Sequence, residues 1–338
     1  MKKSVFLGAL AVSGIAAGAA SAATLEDVQA RGELNCGVNT GLVGFAAPDA
    51  NNNWQGFDVE LCRAVATAVL GDPDAVTYVP LTGKTRFTAL AAGEIDMLSR
   101  NTTWTFTRDN DLKFEFVGIN YYDGQGFMVP RELGVTSAKD LDGATVCIQT
   151  GTTTELNLAD FFRANNISYE PVPIETNAEA QQQYLAGACD VYTTDASGLA
   201  ATRAAFENPG DHVVLPEIVS KEPLGPLVRH GDNEWGDIVR WTLNALVTAE
   251  ELGVTSANVA ELANGTDNPE INRLLGTEGG LGEMIGLEND WAKNVLEVTG
   301  NYGEIFERHI GENTPIGLAR GLNAQWTDGG LLYSPPFR

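Results

Sequence analysis

An α/β fold in two lobes, each a mainly parallel sheet flanked by helices, is what the sequence predicts, and three observations predict it. From residue 32 to residue 98, strand-length apolar runs alternate with stretches of helical periodicity, the pattern of parallel strands joined by crossover helices. The series stops at Phe114–Pro130 (FEFVGINYYDGQGFMVP), which reads strand, turn, strand with no helix between, and a second α/β series starts after it. The chain has 338 residues, room for two domains of ordinary size.

The N-terminus reads as a processing signal. Lys2 and Lys3 form a positive n-region, Val5 to Ala20 is an apolar, small-residue run, and Ala20-Ser21-Ala22 is an A-x-A site. Residues 1–22 are assigned to a signal peptide, which makes the mature chain an exported protein of formal charge −26 instead of −24. The first cysteine is Cys36, too distant from the cleavage site for lipid attachment at the new terminus.

A helix starting near Thr24 leads into a strand over Gly32–Asn39, and a Gly-rich loop with Phe45 and Pro48 runs to Trp54. Gly56–Leu70 has apolar residues at helical spacing, with Asp58 as candidate cap and Gly71-Asp72-Pro73 as stop. A strand over 75–80, a helix over 86–92 closed by Gly93, and a strand over 94–98 complete the first series. In the second, strands are expected at 144–149, 167–172, 190–194 and 213–215, with helices from Thr152 to about 164, over 178–186 and from 196 to about 206. After Leu224 come an extended piece, an amphipathic helix over 233–249, and a helical, Gly-rich remainder. Lobe 1 is therefore discontinuous, residues 23–122 plus 224–338, with lobe 2, residues 128–220, inserted; the connections near 123–129 and 217–226 form the hinge. The heptapeptide Glu-Leu-Gly-Val-Thr-Ser-Ala at 132–138 returns at 251–257, too little to make a repeat protein.

Acidic residues outnumber basic ones 45 to 21, which argues against nucleic acid or an anionic membrane surface as partner. An exported chain makes its four cysteines disulfide candidates, with three pairings open; pairing within each local unit, Cys36 with Cys62 and Cys147 with Cys189, is expected. With no C-x-x-C and with His212, His230 and His309 scattered, neither a metal nor a cofactor is expected. Thr82-Gly83-Lys84-Thr85 looks like the end of a P-loop, but Tyr78 stands where its first Gly would be.

Three segments carry polar chemistry. Asp96–Asp109 begins as a strand and ends in hydroxyls and Arg108, and a guanidinium with hydroxyls and loop N–H groups suits a small carboxylate. Its position beyond the carboxyl end of a strand, where α/β folds bind ligands, favours that reading over a plain turn. Thr150-Gly151-Thr152-Thr153-Thr154-Glu155 opens a helix directly after a strand, either as an anion site or as a capping box of Thr152 with Glu155. Asp195 closes a strand and could accept from an ammonium group or cap the following helix. Trp104 and Phe106 flank the hydroxyl loop, lining a cleft or covering an edge.

Together, the export signal, the two α/β series and the spacing D-x6-T-x-T-x2-R (Asp96, Thr103, Thr105, Arg108) resemble the polar amino-acid-binding proteins of ABC importers, in particular the general L-amino-acid, or glutamate/glutamine/aspartate/asparagine, subgroup. Arg100-Asn101-Thr102-Thr103-Trp104, Gln149–Glu155, Cys189–Asp195 and Arg320-Gly321-Leu322-Asn323 with Trp326 carry the resemblance, which spans essentially the whole mature chain. It implies a type II periplasmic binding protein with a two-strand hinge, a monomer in the periplasm that delivers its ligand to permease subunits in the membrane. It also implies roles: Arg108 with Thr103 for the ligand α-carboxylate, Asn101 and Asp195 for the ammonium, and Thr152 and Thr153 from the second lobe. Arg86 is similar to an arginine that reads a side-chain acid. Gln149 replaces a lysine of a glutamine binder, and Asn39 stands where relatives have charged selectors; Phe45 joins the ligand-binding positions. The rival reading is an enzyme on the same scaffold, similar to periplasmic cyclohexadienyl dehydratases.

Overall fold

The computed structural model describes residues 24–338; the signal segment lies outside the described residues. The strands are β1 (Leu34–Asn39), β2 (Ala47–Pro48), β3 (Trp54–Gln55), β4 (Val76–Leu81), β5 (Met97–Leu98), β6 (Phe114–Phe116), β7 (Tyr121–Asp123) and β8 (Gln125–Pro130), then β9 (Ala144–Gln149), β10 (Tyr169–Ile174), β11 (Val191–Asp195), β12 (His212–Val214), β13 (Glu222–Leu224) and β14 (Leu227–Arg229). The helices are α1 (Thr24–Arg31), α2 (Phe57–Leu70), α3 (Arg86–Ala92), α4 (Phe106–Asn110), α5 (Thr153–Asn165) and α6 (Asn177–Leu185), then α7 (Ala196–Ala204), α8 (Asn233–Glu251), α9 (Val259–Leu262), α10 (Pro269–Leu274), α11 (Trp291–Thr299) and α12 (Tyr302–His309).

Two five-stranded sheets share one plan, with orders β4-β1-β5-β14-β6 and β10-β9-β11-β8-β12. In each, three parallel strands are followed by an antiparallel one that arrives from the other lobe: β14 beside β5, and β8 beside β11. The crossings pair as an antiparallel ribbon, β7 with β13, from Tyr121↔Leu224 to Asp123↔Glu222. The first crossing therefore begins at the N-terminal edge of the expected hinge. Prolines fall where a missing N–H is tolerated: Pro80 is in β4, Pro171 and Pro173 in β10, and both are edge strands.

Local differences from the sequence reading have local causes. Asp58 does not cap α2, whose N-cap is Gly56 at φ 133°. Its buried side chain instead accepts the Asn101 N–H at 3.1 Å and the Asn120 amide at 3.4 Å. The strand expected over 94–98 shortens to Met97–Leu98 because Asp96 Oδ2 takes the Asn35 N–H at 2.7 Å, a side-chain bond in place of a ladder bond. The hydroxyl loop contains the one-turn helix α4, capped by Thr105, whose Oγ1 accepts the Arg108 N–H at 3.2 Å.

The lobe 1 core gathers Phe57, Tyr121, Tyr302 and Phe306 in edge-on and stacked contacts under the apolar face of α8. Trp235, the largest fully buried side chain, donates from Nε1 to Asp96 O at 3.0 Å and ties α8 to the strand that feeds the site. The C-terminal segment braces the hinge. The Asn323 amide takes the Tyr122 N–H at 2.7 Å and donates to Tyr122 O at 3.1 Å, as a neighbouring strand would. Among the described residues no helix is long and apolar enough to cross a membrane.

Both disulfides follow the expected local pairing. Cys36–Cys62 pins α2 to the central strand β1, and Cys147–Cys189 ties β9 to the turn before β11. They close loops of 26 and 42 residues, so loop entropy assigns them about 3.5 and about 4 kcal/mol. Replacing Cys147 and Cys189 together by Ala is expected to lower the urea-unfolding free energy by about 4 kcal/mol. A midpoint equal to that of the oxidised parent would contradict this account.

Candidate functional site

The carboxyl ends of β5, β9 and β11 meet between the sheets around a tightly closed space of about 20 Å³. Lobe 1 contributes Arg86, Arg100, Asn101 and Thr103; lobe 2 contributes Gln149, Thr152 to Thr154, Thr194 and Asp195. A larger hollow of about 140 Å³ between C-terminal helices is lined mainly by apolar side chains, among them Trp241, Leu281 and Trp291, and lacks this convergence of polar groups.

The lobe 1 wall is basic. Arg86 opens α3; its Nη1 donates to Thr102 Oγ1 at 3.1 Å and its Nη2 reaches Gly151 O of lobe 2 at 3.5 Å. Arg100 leaves β5 and donates from Nε to Leu81 O at 2.9 Å. Among the described residues, Arg86 Nε and Arg100 Nη2 are buried without a hydrogen-bond partner. Arg108 donates from Nη1 to Thr103 O at 2.7 Å, and Arg86 and Arg108 lie over the Phe87 ring at 4.8 and 5.1 Å. Burial, then repulsion from Arg100 and Arg108, holds Arg86 well below the usual guanidinium range. Burial pushes Arg100 and Arg108 down to about 10, with Asp58 opposing the shift at Arg100 and Glu222 at Arg108.

Facing this wall, the hinge and lobe 2 are acidic. Asp195 ends β11, and its side chain makes no capping bond to α7. Burial and then the carboxyls of Asp123 and Glu222 push Asp195 well above the usual carboxylate range, opposed by the Asn101 amide and Arg86. Asp123 accepts the Gly124 N–H at 2.8 Å and the Ser197 hydroxyl, yet burial raises it to about 6. Glu222, in the second crossing, accepts on Oε2 from Thr103 Oγ1 and, at 2.9 Å, from Thr153 Oγ1. Its Oε1 accepts from Asn157 Nδ2 at 2.6 Å and Ser220 Oγ at 2.7 Å.

The N-terminus of α5 is held for display. Thr152 Oγ1 accepts the Glu155 N–H at 3.3 Å as an N-cap, but Glu155 turns back to the Gly151 N–H at 3.0 Å, so the capping box is incomplete. Gln125 donates from Nε2 to Thr154 O at 3.1 Å and to Thr193 Oγ1 at 2.9 Å, bracing this turn against β11. Gln149 donates to Glu175 O at 2.7 Å.

Seven of the ten residues singled out from sequence line the space: Arg86, Asn101, Thr103, Gln149, Thr152, Thr153 and Asp195. Three stand behind it. Arg108 is buried at the back of Thr103. Asn39 donates to Asn101 Oδ1 at 3.1 Å and accepts from Asn177 of lobe 2 at 3.1 Å, a bond between lobes. Phe45 packs in the core between Phe57 and Tyr121. Trp104 stacks on Phe116 and covers an edge, whereas Phe106 is exposed; neither lines the space. Sequence reasoning passed over Arg100, Asp123, Gln125 and Glu222. Arg100 had a signal, an Arg two residues beyond a strand end; Asp123 and Glu222 become polar neighbours only through hinge pairing, and Gln125 only through the pairing of β8 with β11.

A polar space between two lobes, built from strand ends and a helix N-terminus, is the architecture of a receptor for a small polar solute. The profile of the bacterial extracellular solute-binding proteins, family 3, matches residues 34–257. The chain belongs to this family. It is 68% identical over 338 residues, the full length of both chains, to the glutamate/glutamine/aspartate/asparagine-binding protein of Rhodobacter capsulatus. It is 59% identical over 330 residues to the general L-amino acid-binding periplasmic protein of Rhizobium johnstonii, covering 97% of this chain and 96% of that one. A solved ABC transporter periplasmic binding protein from Brucella ovis, with glutathione bound, superposes with a TM-score of 0.91 at 57% identity, over 94% of this chain and all of that one. The fold is thus the type II periplasmic binding protein fold, the location extracytoplasmic, and the chain a solute-binding protein; the dehydratase reading is not favoured.

Asp58, behind Asn101, makes the site's electrostatics measurable. Burial lifts its carboxyl from an ordinary 3.8 to about 6, so the folded solute-binding protein holds a proton that the unfolded chain releases. Stability from this group is present at low pH and is lost as pH rises from about 4 to about 6. Relative to wild type, Asp58→Asn is expected to gain about 2 kcal/mol between pH 4 and pH 7 in urea unfolding. A difference independent of pH would refute the assignment.

Proposed function

We propose that this solute-binding protein captures polar L-amino acids, namely glutamate, glutamine, aspartate and asparagine, in the periplasm as a monomer and delivers them to the membrane permease subunits of an ABC importer. The observation that carries the reading is the pairing of walls. Buried N–H groups of Arg86 and Arg100 from lobe 1 and the Asp195 carboxyl of lobe 2 face one small space. An α-amino acid supplies the two opposite charges such walls recognise. The names of the two full-length relatives support the ligand class.

In this mechanism the α-carboxylate is taken by Thr103 with the guanidinium groups of Arg86 and Arg100, which line the space, and Arg108 behind Thr103 completes the basic cluster. Asp195 and Asn101 take the ammonium. Because the two charges engage opposite lobes, the ligand binds the closed form better than the open one and shifts the population toward it. The closed form is then the one the permease recognises. The side chain meets Arg86, Gln149 and the α5 N-terminus, where a carboxylate oxygen and an amide oxygen can both be accommodated. Arg108→Ala is expected to lower amino-acid affinity at least about a hundredfold, the scale of a buried charge left unpaired, with an unchanged circular-dichroism spectrum. Calorimetric titration with all twenty amino acids reads both the loss and the ligand range, and wild-type affinity in the variant would remove the assignment.

Closure also depends on backbone approach. A Cβ on Gly83 of lobe 1 would lie 2.7 Å from Thr150 O of lobe 2. Gly83→Ala is expected to oppose closure by about 1–3 kcal/mol, or roughly five- to hundredfold in affinity. Small-angle scattering with saturating glutamine would show a more open envelope than wild type, and an identical envelope and affinity would contradict this.

A further inference from the structure

We infer that Asn177 of lobe 2 is a positioning residue for amino-acid binding: through Asn39 and Asn101 of lobe 1 it holds the closed form around the ammonium subsite, and so sets the affinity for every ligand alike. This rests on the amino-acid-binding reading above. Asn177 and Asn39 are 4% and 1% exposed, and neither lines the ligand space.

The three amides stand in a row with a fixed direction. The Gly41 N–H can only donate, and it meets the Asn39 side chain at 3.2 Å, so the atom it faces is Oδ1. That choice orients the rest. Asn39 Oδ1 also accepts from Asn177 Nδ2 at 3.1 Å, and Asn39 Nδ2 donates to Asn101 Oδ1 at 3.1 Å. Asn101 is left with its N–H group for Asp195, whose carboxyl it draws down against the effect of burial. Closure therefore grips the lobe 1 pair at both ends, by Asn177 beside Gly41 and by Asp195 where the ammonium is received. Asn177 reaches this place on rigid backbone, as the first residue of α6, whose N-cap Thr176 accepts the Glu179 N–H at 3.1 Å. It also lies 3.5 Å from Gly41 O. By contrast, the Lys84–Glu175 ion pair that joins the lobes at 3.1 Å is exposed and worth little. When the lobes part, Asn177 returns to water while Asn39 keeps the Gly41 bond, so the contact favours the closed form alone. It does not meet the ligand side chain, and its effect is the same for an acid and for an amide.

The test is calorimetry and stopped-flow tryptophan fluorescence of wild type, Asn177→Ala and Asn177→Asp, with glutamate and with glutamine. Asn177→Ala removes one hydrogen bond and strands no donor. Dissociation is expected to be about fivefold faster, with the association rate within about twofold of wild type. Asn177→Asp sets a carboxylate against Asn39 Oδ1 and Gly41 O, and a flip of Asn39 would turn its amide N–H onto the Gly41 N–H. The affinity loss is then expected to reach about thirtyfold or more. An Asp suits the first turn of α6, so urea unfolding of this variant without ligand should show stability equal to or above wild type. In both variants the ratio of glutamate to glutamine affinity should stay within about twofold of wild type. Wild-type affinities, unequal losses for the two ligands, or a ligand-free stability that falls in step with affinity would each overturn the inference. Should wild type bind neither ligand, the amino-acid reading itself fails, a result distinct from these.

Discussion

Separation of charge across the cleft is the constraint on which the rest depends. Three guanidinium groups gather on lobe 1, and three carboxyls gather on the hinge and lobe 2, all buried or nearly so. Like charges packed together out of water are costly, and the shifts of Arg86, Arg100, Arg108 and Asp195 away from their charged forms express that cost. Such an arrangement contributes little to folding. It is suited to a partner that carries both signs, because one small zwitterion can satisfy each wall with its complement.

The scaffold keeps these groups in place by tying each to rigid backbone. Arg100 and Asp195 follow directly from strands, Thr152 and Thr153 start a helix, and Arg108 sits on a single turn capped by Thr105. Behind them, Asn39, Gln125 and Asp58 use amide and carboxyl groups to fix loops that would otherwise be free. The hinge is treated differently on its two strands. Asn323 and its neighbours fasten Tyr122 to the C-terminal segment of lobe 1. Glu222, on the opposite strand, bonds side chains from both lobes. A bending motion therefore has one anchored strand and one strand wired to the site.

Much of the architecture was legible because it rests on short-range rules. Alternating apolar periods marked the β9, α5 and α3 boundaries nearly to the residue, and Pro80, Pro171 and Pro173 lie on edge strands, where a missing N–H is tolerated. Asp58 misled because an acidic residue two positions into a helix looks like a cap. Its real partners, Asn101 and Asn120, are 43 and 62 residues away. Among the site residues, those on strand ends and at the helix start could be found from position alone.

The sequence by itself pointed to the two-lobed α/β plan and to the local disulfide pairing through periodicity, turn residues and spacing, which are local properties, and through its resemblance it pointed to the family and to seven of the residues that line the cleft. Only the tertiary structure decided which polar groups become neighbours. Asp123 and Glu222 reach the site through antiparallel pairing of two hinge strands a hundred residues apart in the chain, and Arg108 falls behind Thr103 because α4 folds back as a helix. A hydroxyl's role as donor or acceptor is likewise set by the carboxylate beside it, and that neighbour is chosen by the fold.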